Sequence, residues 1–314
     1  MRRIAPWIVA VPCAFLSVLS SPAVHGALVP MPGEINRLTM ESRDKLPADP
    51  PTYLDVIYRR TLFRSLALDI YGPLTGDTSP REEVEPAPVV IFFHGGSWIH
   101  GDKITIRVVD RFLRRMREAG YYVISPNYTT SLLRGIGGPL ENVRAAIRWV
   151  AEHAADYGWD VHHIGLYGVS AGGHLALMAA STTCPSDFTI SFVFAECAPS
   201  DLVALRNGEA YEHSGNLRVF FRRRLAAFSP VNLVSSEMPP VLLFHGGRDR
   251  VVDIAQSERY AAALARAGGH VEFERYPAGN HAFLNLSDSQ WYGQETRALR
   301  FFAEQFTHTA ATVW

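Results

Sequence analysis

The chain has 314 residues, is 47% hydrophobic, and sets 30 Lys and Arg against 31 Asp and Glu for a formal net charge of -1. That length carries one large α/β core or two small domains. The even charge excludes the basic face or stripe that nucleic-acid binding requires. The one local basic cluster, Arg218, Arg222, Arg223 and Arg224, reads as a solvated helix face, with reception of an anionic substrate or surface as its alternative.

At the N-terminus, Arg2 and Arg3 precede an apolar run from Ile4 to Leu19, followed by the small residues Ser20, Ser21 and Ala23. This is the pattern of a cleaved export signal over residues 1–26, with cleavage after Ala23 or Gly26. The run is short for a bilayer span and is broken by Pro6 and Pro12, so the exported mature chain is expected to keep no stable membrane span. Cys13 lies inside this segment without a lipid-attachment context. Residues 27–52 are polar and dotted with Pro30, Pro32, Pro47, Pro50 and Pro51, which suits an arm laid over the domain better than a core element.

Residues 53–314 then read as a single domain. Strands are expected at Tyr53 to Tyr58 and Leu66 to Tyr71 from their alternating and β-branched patterns, with the acidic, proline-rich loop Gly72 to Pro88 behind them. Val89-Val90-Ile91-Phe92-Phe93 is apolar throughout, as a strand covered on both faces must be. Val108, Val109, Phe112, Leu113 and Met116 mark a helical face stopped at Gly120. Tyr121 to Ser125 is a strand, and Leu140, Val143, Ile147, Val150 and Ala154 recur at helical spacing. After a strand at Ile164 come a helix over Ala171 to Ala180 and a strand at Ile190 to Ala195. Further on lie a strand at Val241 to Phe244, a helix from Ile254 to Ala267, a strand at Val271 to Tyr276, and a last helix with Trp291, Leu299, Phe302 and Phe306. Alternating β and α units predict a mostly parallel sheet of about eight strands with helices on both faces. Residues 201–228 interrupt the alternation and are the candidate cap segment over the C-terminal edge of the strands.

Chemistry concentrates in four segments. In Gly168-Val169-Ser170-Ala171-Gly172, a serine sits between glycines directly after an apolar strand. A tight strand-to-helix turn that exposes a hydroxyl leaves no room for β-carbons two residues to either side. His94-Gly95-Gly96-Ser97-Trp98 closes the Phe93 strand, and its glycines let backbone N–H groups approach a developing oxyanion, with Ala171 N–H at the start of the following helix as a further donor. His94 is expected to organise this loop by hydrogen bonding. A serine needs a histidine base, and the base needs an acid to fix its tautomer. His281, in a loop after the last strand, is the candidate base; His174, three residues into the helix, is expected to pack locally. Asp249, at the end of the Val241 strand, is the candidate acid and Asp201 its rival, each also readable as a turn or helix cap.

These segments resemble the α/β-hydrolase fold, and within it the esterases related to hormone-sensitive lipase, most closely the bacterial feruloyl/acetylxylan type. The resemblance covers about Tyr53 to Phe306. It rests on His94-Gly95-Gly96-Ser97-Trp98 with Gly101-Asp102-Lys103, on Asn127-Tyr128, on Tyr167 to Ala176, and on the Asp249 and His281 segments. It implies a serine carboxylester hydrolase without metal or cofactor, with Ser170 as nucleophile, Asp249 as acid, His281 as base, and the backbone of Gly96, Ser97 and Ala171 as oxyanion hole. Ser97 stands where the family commonly has a third glycine. Trp98, Ile99, Phe283 and the 201–228 segment are expected to line a pocket for a short-chain or aromatic acyl group on a small-molecule or polysaccharide-linked ester. An amide-directed hydrolase, of formamidase or peptidase type, and a catalytically silent binding protein on the same scaffold are the alternatives.

Cys184 and Cys197 would remain after export. A helix and a returning strand place them at opposite sheet edges, about 20 Å apart for six residues. Bridging requires α-carbons within about 7 Å, so two free thiols are expected.

Overall fold

The computed structural model describes residues 50–61, 64–74, 86–130, 135–183, 187–206 and 224–310. The export signal, nearly all of the N-terminal arm, Cys13, Cys184 and residues 207–223 of the cap segment lie outside the described residues. Among the described residues no helix is long and apolar enough to cross a membrane.

Eight strands form one sheet: β1 (Tyr53–Arg60), β2 (Ser65–Tyr71), β3 (Ala87–Phe93), β4 (Tyr122–Pro126), β5 (Trp159–Val169), β6 (Ile190–Glu196), β7 (Val241–Gly246) and β8 (Val271–Tyr276). Their spatial order is β1-β2-β4-β3-β5-β6-β7-β8. β1 with β2 and β2 with β4 are antiparallel, and every later pairing is parallel. The longer helices are α1 (Asp110–Glu118), α2 (Gly137–Glu152), α3 (Ala171–Thr182), α4 (Ala255–Arg266) and α5 (Asp288–Ala310).

The continuous apolar strands supply both layers of the core. In β3, Val89, Ile91 and Phe93 join the cluster built with Val143 and Ile147 of α2, Leu175 and Ala179 of α3, and Leu264 of α4. The alternate residues Val90 and Phe92 join Phe112 and Met116 of α1 and Phe301, Phe302 and Phe306 of α5. A two-residue repeat sends successive side chains to opposite faces, so an unbroken apolar run is what a strand between two helical layers needs. Each fully buried Leu or Phe contributes about 1.5–3 kcal/mol.

Two boundaries differ from the sequence reading. The helix anticipated from Val108 is preceded by 3-10 turns over Lys103–Val109, because Asp102 caps that segment, its Oδ1 accepting the Ile104 N–H at 2.9 Å. β5 begins at Trp159, before the apolar run at Ile164, because Trp159 already stands in register with Ala87 of β3. The described flanks of the cap segment are the helical turn Leu202–Arg206 and the 3-10 turns Leu225–Phe228 and Pro230–Asn232.

Candidate active site

Ser170 occupies the turn between β5 and α3 with φ 55° and ψ -121°, a left-handed conformation that a non-glycine residue adopts only where its surroundings enforce it. The enforcement is visible. The Ser170 N–H donates to the Glu196 carbonyl at 2.7 Å, and the Ser170 carbonyl accepts from the His174 N–H at 3.0 Å to begin α3. A Cβ at Gly172 would overlap the carbonyl oxygens of Phe93 and His94, and one at Gly168 would strike the backbone of Gly172. The two glycines are therefore the condition for the crossing of β3, β5 and α3 that pushes the hydroxyl toward the rim.

Two loops at the same rim bring the other side chains to it. His281 opens a short 3-10 turn after β8, and Asp249 follows β7. The His281 Nε2 lies 3.0 Å from Ser170 Oγ, and its Nδ1 lies 2.8 Å from Asp249 Oδ2. The other carboxylate oxygen, Oδ1, accepts the N–H groups of Val251 at 2.8 Å and Val252 at 2.9 Å. Burial opposes charge on Asp249, but the imidazoles of His281 and His245 outweigh it and hold the carboxyl well below the ordinary carboxylate range. Asp249 is thus a fixed anion, and a ring nitrogen aimed at a hydroxyl with a carboxylate behind it can take up and return a proton. Asp201 is not brought to this group. Its Oδ1 caps the Leu202–Arg206 turn through the N–H groups of Val203 and Ala204 at 3.1 and 3.0 Å.

On the opposite side of Ser170, the loop after β3 turns back on itself, with the N–H groups of Ile99 and His100 donating to the Gly96 carbonyl at 3.0 and 2.9 Å. Gly96, Ser97 and Trp98 all have positive φ, of 113°, 52° and 63°. A Cβ built on Gly95 would come 3.5 Å from Ser170 Cβ, so this loop lies directly against the serine. Ala171 opens α3, where first-turn N–H groups have no intrahelical acceptor. His94 organises this loop: its Nδ1 meets the Gly95 carbonyl at 2.7 Å, its own carbonyl accepts from Tyr128 Oη at 2.6 Å, and its ring stacks on that of Tyr128. Burial pushes the His94 imidazole down to about 4, against the opposing pull of the Gly95 carbonyl and Asp102.

Several residues that shape the site carried no role in the sequence reading. His174 packs across segments and not within its helix: Trp98 Nε1–H donates to His174 Nδ1 at 3.2 Å, and His174 Nε2 meets the Phe228 carbonyl at 2.8 Å. Burial lowers this imidazole to about 4 as well, with the Phe228 carbonyl opposing. Lys103, beneath the loop, contacts Asp69 at 2.6 Å and Asp55 at 2.8 Å, and its backbone N–H donates to Asn127 Oδ1 at 2.7 Å. The Gly101-Asp102-Lys103 and Asn127-Tyr128 motifs are therefore the footing of the loop that carries Gly96 and Ser97.

Two of the three residues expected to line a pocket lie in the interior. Trp98 is 2% exposed and Phe283 has no exposure. Trp98 is drawn inward by His174, and Phe283 packs edge-on to Tyr276 and Trp291. Ile99 alone of the three is half-buried. Phe283 instead serves as an anchor for the His281 turn, in which Ala282 and Phe283 have φ of 52° and 58°.

Cys197 is a free, buried thiol. Burial, and after it the charges of Asp249 and Glu196, raise it well above its ordinary value. Glu196, whose carbonyl holds the Ser170 N–H, is itself pushed up to about 8 by burial and by Glu295, an effect eased by Tyr167. Cys197, His245 and Asp249 place one ligand-type atom each within 4.8 Å of one another. The nitrogens of His245 and the oxygens of Asp249 are, however, already engaged by protein groups, so this is a hydrogen-bonded cluster and not a set of free ligands.

A mostly parallel eight-stranded sheet with a serine on a strained turn after its fifth strand, and with an imidazole and a carboxylate delivered by the last two strands, defines an α/β-hydrolase. A family model for BD-FAE matches residues 68–264, and the chain belongs to that family. It is 32% identical over 215 residues to esterase LipQ of Mycobacterium tuberculosis, an alignment covering 63% of this chain and 50% of the relative. It is 27% identical over 248 residues to esterase LipC of the same organism, covering 72% and 60% respectively. The chain thus matches about half the length of these curated relatives. Among solved structures, a truncated carbohydrate esterase from gut microbiota superposes with a TM-score of 0.66 at 24% identity, over 83% of this chain and 99% of that one. The apo form of Thermogutta terrifontis esterase 2 gives 0.66 at 23% identity, over 83% and 96%. Both neighbours share the fold.

Proposed function

We propose that this chain is a serine carboxylester hydrolase. Ser170 Oγ attacks the ester carbonyl while His281 Nε2 takes its proton; the backbone N–H groups of Gly96, Ser97 and Ala171 receive the oxyanion. His281 then returns the proton to the leaving alcohol, and water releases the acyl group by the same route. Asp249 holds the His281 tautomer and balances the imidazolium. The observation that carries this reading is the pair of contacts to one imidazole, 3.0 Å to Ser170 and 2.8 Å to Asp249. The esterase names of the relatives point the same way. With Trp98 and Phe283 in the interior, the substrate class rests on the family and on Ile99: a short-chain or aromatic acyl ester, on a small molecule or a polysaccharide. The N-terminal pattern supports export with removal of residues 1–26.

The test is covalent labelling with a fluorophosphonate together with turnover of a nitrophenyl ester series of increasing acyl length, with nitroanilides, feruloyl esters and acetylated xylan alongside. The parent protein should label once and turn over short esters, and Ser170→Ala should lose both. Labelling that persists in Ser170→Ala removes the serine from its role. Faster anilide than ester turnover replaces the ester reading with an amide-directed one. Labelling without turnover of either substrate leaves only a binding scaffold.

A further inference from the structure

The mechanism above uses one histidine, but a second faces the same carboxylate from the other side. His245 closes β7 with no exposed surface. Its Nε2 lies 2.9 Å from the Val252 carbonyl and 3.3 Å from Asp249 Oδ2. Its Nδ1 lies 2.7 Å from Ser257 Oγ, on α4. Both groups facing Nε2 are acceptors that carry no hydrogen, so Nε2 must hold the proton. Nδ1 is then the acceptor, and the Ser257 hydroxyl is the donor that fixes this tautomer. Asp249 Oδ2 consequently faces two imidazoles, that of His281 at 2.8 Å and, as a longer second contact of an N–H directed at the Val252 carbonyl, that of His245 at 3.3 Å, while Oδ1 receives two backbone N–H groups.

We infer that His245 is a positioning residue for the acid, and that a chain of polar contacts runs Ser257, His245, Asp249, His281, Ser170, from helix α4 to the nucleophile, with the His245–Asp249 link an electrostatic contact at 3.3 Å. This rests on the catalytic roles proposed above. The physical effect is specific. A carboxylate that shares its charge with a second donor holds the neighbouring imidazolium less strongly than one that does not. By standing beside Oδ2, His245 draws on the charge that faces His281 and keeps the carboxylate turned toward it. The other titratable groups that face His245 are Asp249 from the loop after β7 and Cys197 from the end of β6, with His281 across the carboxylate. A ring needed only as filling would require neither hydrogen bond.

The test compares His245→Phe, which keeps a ring and removes both nitrogens, with His245→Gln, whose amide can still donate from the Nε2 position, and with Ser257→Ala. Thermal melting of each variant is measured beside the pH profile of kcat/KM for a nitrophenyl ester. His245→Phe should lower kcat about 10- to 100-fold, by analogy with the cost of removing a group that orients a metal ligand, leave KM nearly unchanged, and move the acidic limb to higher pH. His245→Gln should restore most of both. Ser257→Ala should move the limb in the same direction by less, and it decides the matter if the phenylalanine variant does not fold. An acidic limb that stays in place in the folded variants, whatever their melting temperatures, overturns the role of His245, as does a limb that the glutamine variant moves as far as the phenylalanine one. Asp249→Asn is run in parallel: if it leaves turnover intact, the triad itself is wrong, whereas its collapse beside an unmoved His245 profile refutes this inference alone.

Discussion

The two flanks of Ser170 are built on opposite principles. On the acid–base flank, side chains do the work, and each is saturated with partners. Asp249 takes donors from Val251, Val252 and His281 and has the His245 imidazole 3.3 Å away. On the flank proposed to hold the oxyanion, the groups assigned the work are backbone N–H, and the side chains hold the chain in a strained conformation, with positive φ at Gly96, Ser97 and Trp98. That strain is contained by neutral, buried His94 and His174 and by Tyr128, each a hydrogen-bond partner and not a reactant. The first flank is sensitive to what its residues are chemically, and the second to where a loop is allowed to sit.

The largest effect that separates the flanks is expected at Asp249. Asp249→Asn keeps the shape but offers an N–H₂ where His281 needs an acceptor, and turnover should fall about 10⁴-fold. Asp201→Asn should leave turnover near the parent value, because an asparagine caps a helical turn as well as an aspartate does. Steady-state kinetics on the two variants decide between the carboxylates, and equal losses would merge them. Next in size is Gly96→Ala. Its φ of 113° and the His100 carbonyl in the path of a Cβ force the loop to move, so kcat should drop about 10²- to 10³-fold, the effect of one lost oxyanion donor. The acidic limb of the pH profile should not shift, because no group on the acid–base flank is touched. A shifted limb would mean that the flanks are coupled and not separate.

The same division explains what could be read before any coordinates. The succession of strands and helices, the mostly parallel core and the candidates Ser170, Asp249 and His281 were legible because they depend on residue type, period and spacing. Val89 to Phe93 had to be a doubly covered strand, and a serine between Gly168 and Gly172 had to sit on a tight turn. The choice of Asp249 over Asp201 needed chain order, since both follow strands and both cap turns. What could not be read were contacts made between segments far apart in the chain. Trp98 and Phe283 looked like pocket residues because they adjoin site residues in sequence, yet a nitrogen of His174 and the rings of Tyr276 and Trp291 draw them inside. His245 stood in plain sight four residues before Asp249, and its partner Ser257 could be recognised only once α4 was seen to pack against β7. A histidine ending an otherwise apolar buried strand was the one available signal, because such a group must find a partner.

The smallest effect concerns stability and distinguishes the flanks by pH. His94 and His174 ionise near 6.5 when unfolded, and burial holds both to about 4 in the folded protein. The folded-state value is the lower one, so above pH 6.5 neither residue makes stability depend on pH. As pH falls toward 4 the unfolded chain binds protons that the native oxyanion flank refuses, and stability is lost by about 3 kcal/mol for each histidine. Asp249 acts in a different window: its carboxyl is held low, so the stability it contributes persists through this range and is lost only as pH falls below the ordinary carboxylate value. Between pH 6.5 and 4 the two histidines therefore lower the melting temperature, while Glu196, with its carboxyl raised to about 8, gains stability as pH falls toward its unfolded value and opposes them, so the quantity to read is the change in slope when one histidine is removed. His174→Gln, which keeps an amide between Trp98 and the Phe228 carbonyl but cannot take a proton, should melt lower at pH 7 and decline less steeply toward pH 4. A parallel decline in parent and variant would place the acid sensitivity elsewhere, and would remove His174 from the account of how the strained loop is held.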